Sequence, residues 1–274
     1  TILPTSTQRQ NIIDEGIVTK LTDSFKRTKT TNKAIKVHSV NRGATLQKVV
    51  LTIPNDIVYT NIEKNLKNIQ AALGNDAISM EIGEMSDTVN FYIPCSQVET
   101  VHLSNLLQSD QFKEHVLSSE LPLVLGEDSI GNPLFSDLTD LKHMLVAGAT
   151  GSGKSVYLNA VIITLLMYKS PSDLHMILID PKQVELNHFK DFPHVTFIDD
   201  MDSSAEIFAS LVNEMEKRYG LMANQGCKNI IQYNNKAKSK LPYIVCVVDE
   251  LSDLMDTHGD DIENYIIRMG QKAR

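Results

Sequence analysis

The sequence predicts an α/β fold, with a mostly parallel sheet in the second half of the chain and a small α+β domain before it. In the second half, apolar runs at 143–147, 174–179 and 243–248 alternate with helix-like segments, as connected parallel strands require. A glycine-rich stretch follows the first run. In the first half, two helix-like segments each precede two strand-like segments, which is an order typical of a compact α+β domain.

Residues 1–120 are predicted to form the α+β domain. Its first helix has apolar side chains at helical spacing, including Ile12, Ile13 and Phe25, and Gly74 is expected to stop its second helix. The expected elements are a helix at 11–30, strands at 34–40 and 46–53, a helix at 61–73, strands at 78–82 and 89–94, and short helical segments at 101–107 and 111–118.

Residues 121–274 are predicted to form the second domain, which opens with a hairpin. The run at 243–248 is apolar throughout, as a central parallel strand should be. The expected elements are a hairpin at 123–128 and 133–137, strands at 143–147, 174–179 and 243–248, and helices at 156–168, 203–223 and 260–273.

Composition limits the class of protein. The chain has 274 residues, 42% of them hydrophobic, and a formal net charge of −8. No apolar run approaches the roughly 20 residues that span a bilayer, and the N-terminus lacks the features of a signal peptide. The three cysteines are far apart, so a reduced cytoplasmic protein is expected and a zinc site is not. The acidic balance counts mildly against nucleic-acid binding.

Residues 148–155 fit the phosphate-loop pattern G-x-x-x-x-G-K-[ST]. Glycines let such a loop aim backbone N–H groups at phosphate oxygens, and the helix that follows points its positive end at the same anion. Lysine reaches the β- and γ-phosphates, and the serine hydroxyl is a ligand for Mg²⁺. The predicted nucleotide-binding residues are Gly148, Ala149, Thr150, Gly151, Ser152, Gly153, Lys154 and Ser155.

An acidic pair, Asp249-Glu250, ends the run at 243–248. Ligands of open α/β sheets bind at the carboxyl ends of strands, which predicts that this pair lies beside the phosphate loop. Asp249 is then the candidate Mg²⁺ carboxylate, and Glu250, with Lys154, is a candidate catalytic residue as the general base for an attacking water. A guanine-reading N-K-x-D motif is not found, since Asn235-Lys236-Ala237 is followed by lysine, so ATP is favoured over GTP.

Several stretches within residues 121–274 together resemble the FtsK/SpoIIIE family of DNA translocases. The first 120 residues resemble the family's small domain in layout and only loosely in sequence. The stretches that carry the resemblance are 143–155, Ile179-Asp180-Pro181-Lys182 with Glu185-Leu186, Pro193-His194, 213–219, 242–255 and 271–274.

The resemblance implies a RecA-like ATPase core and six subunits in a ring around double-stranded DNA, driven by ATP and Mg²⁺. Family members move chromosomes during division or sporulation, and their membrane segments lie upstream of the motor. A few basic residues per subunit would line the channel. Lys182 and Lys190 are candidates for this role, and ordinary loop lysines are the equally weighted alternative.

Family members continue past the Gln-Lys-Ala-Arg stretch into further strands, whereas this sequence stops at Arg274. The second domain is therefore expected to be incomplete, with weak or no ATPase activity by itself. The leading hypothesis is an ATP-driven double-stranded DNA translocase in the cytoplasm, with anchoring of a longer protein to the inner membrane left open. The alternatives are a related ATPase that transfers protein or single-stranded DNA and a non-motor ATP-binding scaffold.

Overall fold

A computed structural model of the chain describes residues 15–28, 30, 31, 33, 35–55, 57–85 and 87–272. The predicted apolar positions Ile12 and Ile13 lie outside the described residues. The chain divides into two compact units, one formed by 1–112 with 125–134 and the other by 113–124 with 135–274. The predicted domain boundary at residue 120 differs from this division in two places: residues 113–120 fall in the second unit, and residues 125–134 of the hairpin fall in the first.

The first unit contains an antiparallel sheet in the order β1-β2-β4-β3. Alternate residues of its strands, such as Val49, Leu51 and Phe91, are buried against two helices, so one face of the sheet forms the core. Gly74 ends the second helix in the left-handed conformation, as predicted. The elements are α1 (Glu15–Arg27), β1 (Lys36–Arg42), β2 (Leu46–Thr52), α2 (Tyr59–Leu73), β3 (Ser79–Ile82), β4 (Thr88–Pro94) and α3 (Leu103–Gln108).

Two short helices and a hairpin occupy the stretch between α3 and the phosphate loop. Asp137 caps a short helix by accepting a hydrogen bond from the backbone N–H of Thr139. These elements are α4 (Asp110–Ser118), the hairpin strands β5 (Pro122–Glu127) and β6 (Pro133–Asp137), and α5 (Leu138–Leu141).

The second unit contains a parallel sheet in the order β8-β7-β9. Residues at 174–179 and 243–248 form strands at the predicted positions. Asp200 caps the long helix by accepting from the N–H of Ser203. The elements are α6 (Lys154–Tyr168), β7 (Leu174–Ile179), β8 (Val195–Ile198), α7 (Met201–Asn224), α8 (Ile230–Lys236), β9 (Tyr243–Val248) and α9 (Leu251–Lys272), with a short 3₁₀ turn at Asn187–Phe189.

Helices cover both faces of this sheet. Met176 and Val245 point to the side where α6 packs, whereas Ile177 and Cys246 point to the side where α7 and α9 pack. Strands buried on both faces read as continuous apolar runs, which is why β7 and β9 were visible in the sequence. The result is a three-layer arrangement whose strands all end at one edge.

Two predictions about this sheet are wrong. Residues 143–147 do not form a strand, and the side chain of Leu145 is 83% exposed. β9 is an edge strand, because β7 occupies the centre of the three strands that the structure describes here. The two errors have one physical cause: a strand needs a hydrogen-bonding neighbour, and no described strand lies beside 143–147 or on the outer edge of β9.

The helices of the second unit also differ from prediction. The predicted helix at 260–273 corresponds to the part of α9 that follows a break in helical geometry at His258, whereas the helical turns from Leu251 to that break were not predicted. β8 and α8 were not predicted, because β8 has only four residues and α8 has seven, of which four are polar. No helix among the described residues is both long enough and apolar enough to span a bilayer.

Candidate nucleotide site

Residues 148–155 form an exposed loop that runs into the first turn of α6. Gly151 and Gly153 have φ angles of 79° and 98°, in the left-handed region that glycine enters without strain. A Cβ on Gly148 would lie 2.2 Å from the Oγ of Ser152, so a side chain at this position would need that hydroxyl group to move. The backbone path itself therefore explains Gly151 and Gly153.

The first turn of α6 faces the open end of this loop. The helix has 15 residues and begins at Lys154, and its N-cap, Gly153, supplies no side-chain hydrogen bond. The N–H groups of an uncapped first turn, together with the helix dipole, suit an anionic ligand. Ser155 lies half-buried in this turn, while Ala149 and Thr150 are exposed in the loop.

The acidic pair at the end of β9 lies against Lys154. The Nζ of Lys154 donates to the backbone carbonyl of Asp249 at 3.1 Å. The same Nζ is 3.9 Å from the Oδ1 of Asp249 and 3.5 Å from the Oε2 of Glu250. The backbone N–H of Asp249 bonds to the carbonyl of Ile179, which fixes the pair at the edge of the sheet. The structure thus brings together the two motifs, which are 95 residues apart.

Asp249 has an unusual electrostatic environment. Burial raises the pKa of its carboxyl group, Lys154 opposes this effect, and the nearby negative charges of Asp180 and Glu185 raise it further. Its Oδ1 is buried and has no hydrogen-bond partner among the described residues. A buried carboxylate oxygen without a donor fits a divalent cation, and the hydroxyl of Ser155 is the second hard oxygen ligand that the motif offers.

Glu250 differs from its neighbour. Its side chain is 40% exposed and its Oε1 accepts a hydrogen bond from the Oγ of Ser252 at 2.7 Å. This hydrogen bond, followed by the charge of Lys154, holds the pKa of Glu250 below its usual value. An ionised and accessible carboxylate is available to accept a proton from water.

The two lysines predicted to contact DNA lie in different surroundings. Lys182, in the loop after β7, forms an ion pair with Asp253 in which Nζ and Oδ2 are 2.6 Å apart. That hydrogen bond raises the pKa of Lys182. Lys190 ends the 3₁₀ turn and is exposed.

Sequence reasoning named no site role for Asp180, Glu185 and Asp253. Asp180 directly follows β7 and is fully buried, with its Oδ2 accepting from the N–H groups of Glu185 and Leu186. The signal for it was present, because Asp180 ends an apolar strand in the same way as Asp249 does. The contact of Asp253 with Lys182 had no comparable local signal.

The chain is similar in sequence to proteins of a known family. Residues 102–274 match the model of the FtsK/SpoIIIE family. A protein named DNA translocase FtsK from Campylobacter jejuni is 39% identical over 232 residues, which are 82% of this chain and 23% of the relative. The FtsK of Helicobacter pylori strain J99 is 38% identical over 82% of this chain and 26% of its own length. The chain therefore spans about a quarter of the length of these relatives.

Solved structures show the same fold. The conjugation coupling protein TcpA of pCW3, solved with ATPγS, matches 94% of this chain and 74% of its own with a TM-score of 0.55 and 23% identity. The cytoplasmic domain of the type VII secretion ATPase EccC from Thermomonospora curvata covers 64% of this chain and 22% of its own, with a TM-score of 0.50 and 23% identity. The expected RecA-like ATPase fold is thus confirmed.

Proposed function

The chain belongs to the FtsK/SpoIIIE family, and from this premise we propose that it is part of an ATP-dependent motor that translocates double-stranded DNA. The observation that carries the proposal is the meeting of Lys154 with Asp249 and Glu250 at the edge of a parallel sheet. The names of the relatives, which are DNA translocases, support the choice of substrate.

Each residue of the site has a proposed role in ATP hydrolysis. The N–H groups of 148–155 and the ammonium group of Lys154 bind the β- and γ-phosphates. Ser155 and Asp249 would hold Mg²⁺, which neutralises phosphate charge. Glu250 accepts a proton from the attacking water. Because Lys154 contacts Glu250 in the structure, phosphate binding must draw the lysine away and free the base.

DNA binding is proposed for the loops of the second unit. Lys190 is exposed and can contact a phosphate group directly, whereas Lys182 must first leave Asp253. The proposed assembly is a hexameric ring in the cytoplasm that acts in chromosome segregation or DNA transfer. Repetition of two lysines around a ring concentrates positive charge in its channel although each subunit is acidic overall.

The net charge of −8 favours a second candidate. A related ATPase that transfers protein or single-stranded DNA would use the same nucleotide site and would not need a basic surface for duplex DNA. The two candidates differ in the polymer that stimulates ATP hydrolysis.

ATPase rate measured against protein concentration tests both candidates. The assay uses the 274-residue chain and a version extended past Arg274 in parallel, each with linear duplex DNA, single-stranded DNA, a polypeptide or no polymer. Stimulation by duplex that rises steeply with protein concentration supports a ring-forming duplex translocase. Stimulation by single strands or polypeptide alone supports the transfer ATPase, and tight ATP binding without turnover under any condition supports a scaffold.

A further inference from the structure

Asp180 is a buried charge for which the proposed reaction has no use. Its side chain is fully buried at the end of β7, where its backbone N–H also bonds to the carbonyl of Ile198. Burying a carboxylate costs free energy unless donors compensate it. Its Oδ2 has two donors, but its Oδ1 is buried without a hydrogen-bond partner among the described residues. Incompletely satisfied buried charges are typical of functional sites.

The loop of residues 181–186 is built around this carboxylate. The Oδ2 of Asp180 accepts from the N–H of Glu185 at 3.0 Å and of Leu186 at 2.9 Å, and its carbonyl accepts from the N–H of Gln183 at 3.0 Å. Gln183 has a φ of 57°, a left-handed conformation that is unfavourable for a non-glycine residue. Leu186, at one end of the loop, is buried in the core, but Val184 is 71% exposed, so apolar burial does not hold the tip of the loop. Hydrogen bonds to Asp180 hold it instead.

This loop reaches the nucleotide site at two points. Lys182 forms its ion pair with Asp253, which lies in the first turn of α9 directly after the acidic pair. Glu185 and Asp180 both lie close enough to Asp249 for their charges to act on it. Asp180, the loop of residues 181–186 and the acidic pair thus lie next to one another.

We propose that Asp180 is a positioning residue for ATP hydrolysis, fixing the 181–186 loop and thereby holding Lys182 and Glu185 around Asp249 and Glu250. This inference rests on the proposed function of the site. It assigns Asp180 no contact with nucleotide or water. Loss of its carboxylate therefore lowers turnover while ATP binding, which depends on the phosphate loop, is preserved.

Asp137 provides a matched control. It is also a buried aspartate whose carboxylate accepts backbone N–H bonds, in its case from Glu120, Leu121 and Thr139. None of these hydrogen bonds involves the phosphate loop or the acidic pair. A variant of Asp137 therefore reports what the loss of a buried loop anchor does to stability alone.

The experiment compares Asp180→Ala, Asp180→Asn and Asp137→Asn in whichever form, the 274-residue chain or a version extended past Arg274, has the higher ATPase rate. Amide hydrogen exchange without nucleotide is measured at residues 181–186 and in the first turn of α9, and kcat and KM for ATP are measured per folded molecule. For Asp180→Ala we expect exchange at Glu185 and Leu186 to rise and kcat to fall about tenfold or more, with KM within about threefold of wild type. Asp180→Asn keeps an acceptor oxygen and should restore slow exchange and part of kcat, whereas Asp137→Asn should change neither.

Unchanged exchange at Glu185 and Leu186 in Asp180→Ala would overturn the proposal. So would a fall in kcat that Asp137→Asn reproduces at equal loss of thermal stability. A wild-type protein without ATP turnover contradicts the proposed function and is recognised before any variant is made. In that case exchange in the loop and in the first turn of α9 still decides whether Asp180 positions Lys182 and Asp253.

Discussion

Two carboxylates at the ends of different sheets have opposite environments. Glu81, on β3 of the first unit, accepts hydrogen bonds from the hydroxyl of Tyr92 and from the amide of Asn90. These hydrogen bonds lower the pKa of Glu81, and the one from Tyr92 has the larger effect. The side chain of Asp249, at the end of β9, is 10% exposed and lies beside other negative charges, and its pKa is raised. Glu81 is a satisfied structural group, whereas Asp249 keeps a buried oxygen without a hydrogen-bond partner in the described part of the chain.

The difference shows that carboxylates stabilise the fold in one region and destabilise it in the other. In the first unit, polar side chains on the sheet bond to one another. In the second unit, charged side chains gather at the strand ends, where their mutual repulsion and burial oppose folding. A nucleotide with its cation would relieve both effects. We therefore expect substitutions in the two regions to separate stability from activity.

The largest expected effect is that of Glu250→Gln on turnover. Removing the general base should lower kcat by roughly 10²-fold or more while ATP binding is retained. Glu81→Gln is the control, and its kcat per folded molecule should equal that of wild type. Steady-state kinetics with a parallel binding titration measure both, and a Glu250→Gln variant that turns over ATP normally would remove Glu250 from the mechanism.

Lys154→Ala should have the next largest effect, on binding. The variant loses a charge-assisted contact to phosphate worth about 2 kcal/mol, which corresponds to roughly 30-fold weaker ATP binding. Lys48→Ala, in the first unit, removes a lysine whose ammonium group lies 5.9 Å from the ring of Tyr92 and should leave ATP affinity unchanged. Titration with a fluorescent ATP analogue gives both affinities, and equal values would contradict the assignment of Lys154.

The sequence predicted the residues of the nucleotide site better than it predicted the elements around them. β7 and β9 could be located because strands buried on both faces are apolar throughout, and the glycines of the phosphate loop follow from backbone geometry. The run at 143–147 has the same apolar character but no ladder, because pairing depends on a partner that local sequence does not reveal. The anchoring role of Asp180 was missed for the same reason, since the sequence shows the aspartate but not the backbone N–H groups that donate hydrogen bonds to it.

A smaller effect is expected on the free energy of unfolding, and its sign should differ between variants of Asp137 and of Asp249. Burial alone would raise the pKa of Asp137, but donors from Thr139, Glu120 and Leu121 outweigh it and lower the pKa. Asp137→Ala should therefore cost about 3 kcal/mol at neutral pH. Asp249→Asn should leave the nucleotide-free protein within about 1 kcal/mol of wild type or make it more stable, because it removes a charge that folding disfavours.

The pH dependence of unfolding checks both signs. The folded pKa of Asp137 is lowered, so its contribution is present above its unfolded pKa and is lost as pH falls through the folded value. The folded pKa of Asp249 is raised, so its penalty is present at neutral pH and disappears as pH falls through that value. Denaturant unfolding of the two variants and wild type between pH 3 and pH 7, a range of about four units, measures this. A large destabilisation by Asp249→Asn would contradict the contrast between the two regions.

The smallest expected effect separates two glycines with similar backbone angles. Gly74 caps α2 with a φ of 70° and Gly151 lies in the phosphate loop with a φ of 79°, and nothing lies within 4 Å of a Cβ built on either. Alanine at each position should cost about 1 kcal/mol of stability, because only the left-handed backbone opposes it. Since the phosphate loop depends on that backbone for the direction of its N–H groups, Gly151→Ala should also weaken ATP binding, whereas Gly74→Ala should not. Thermal unfolding and ATP titration of both variants test this, and equal ATP affinities would mean that the loop binds phosphate without needing its left-handed turn.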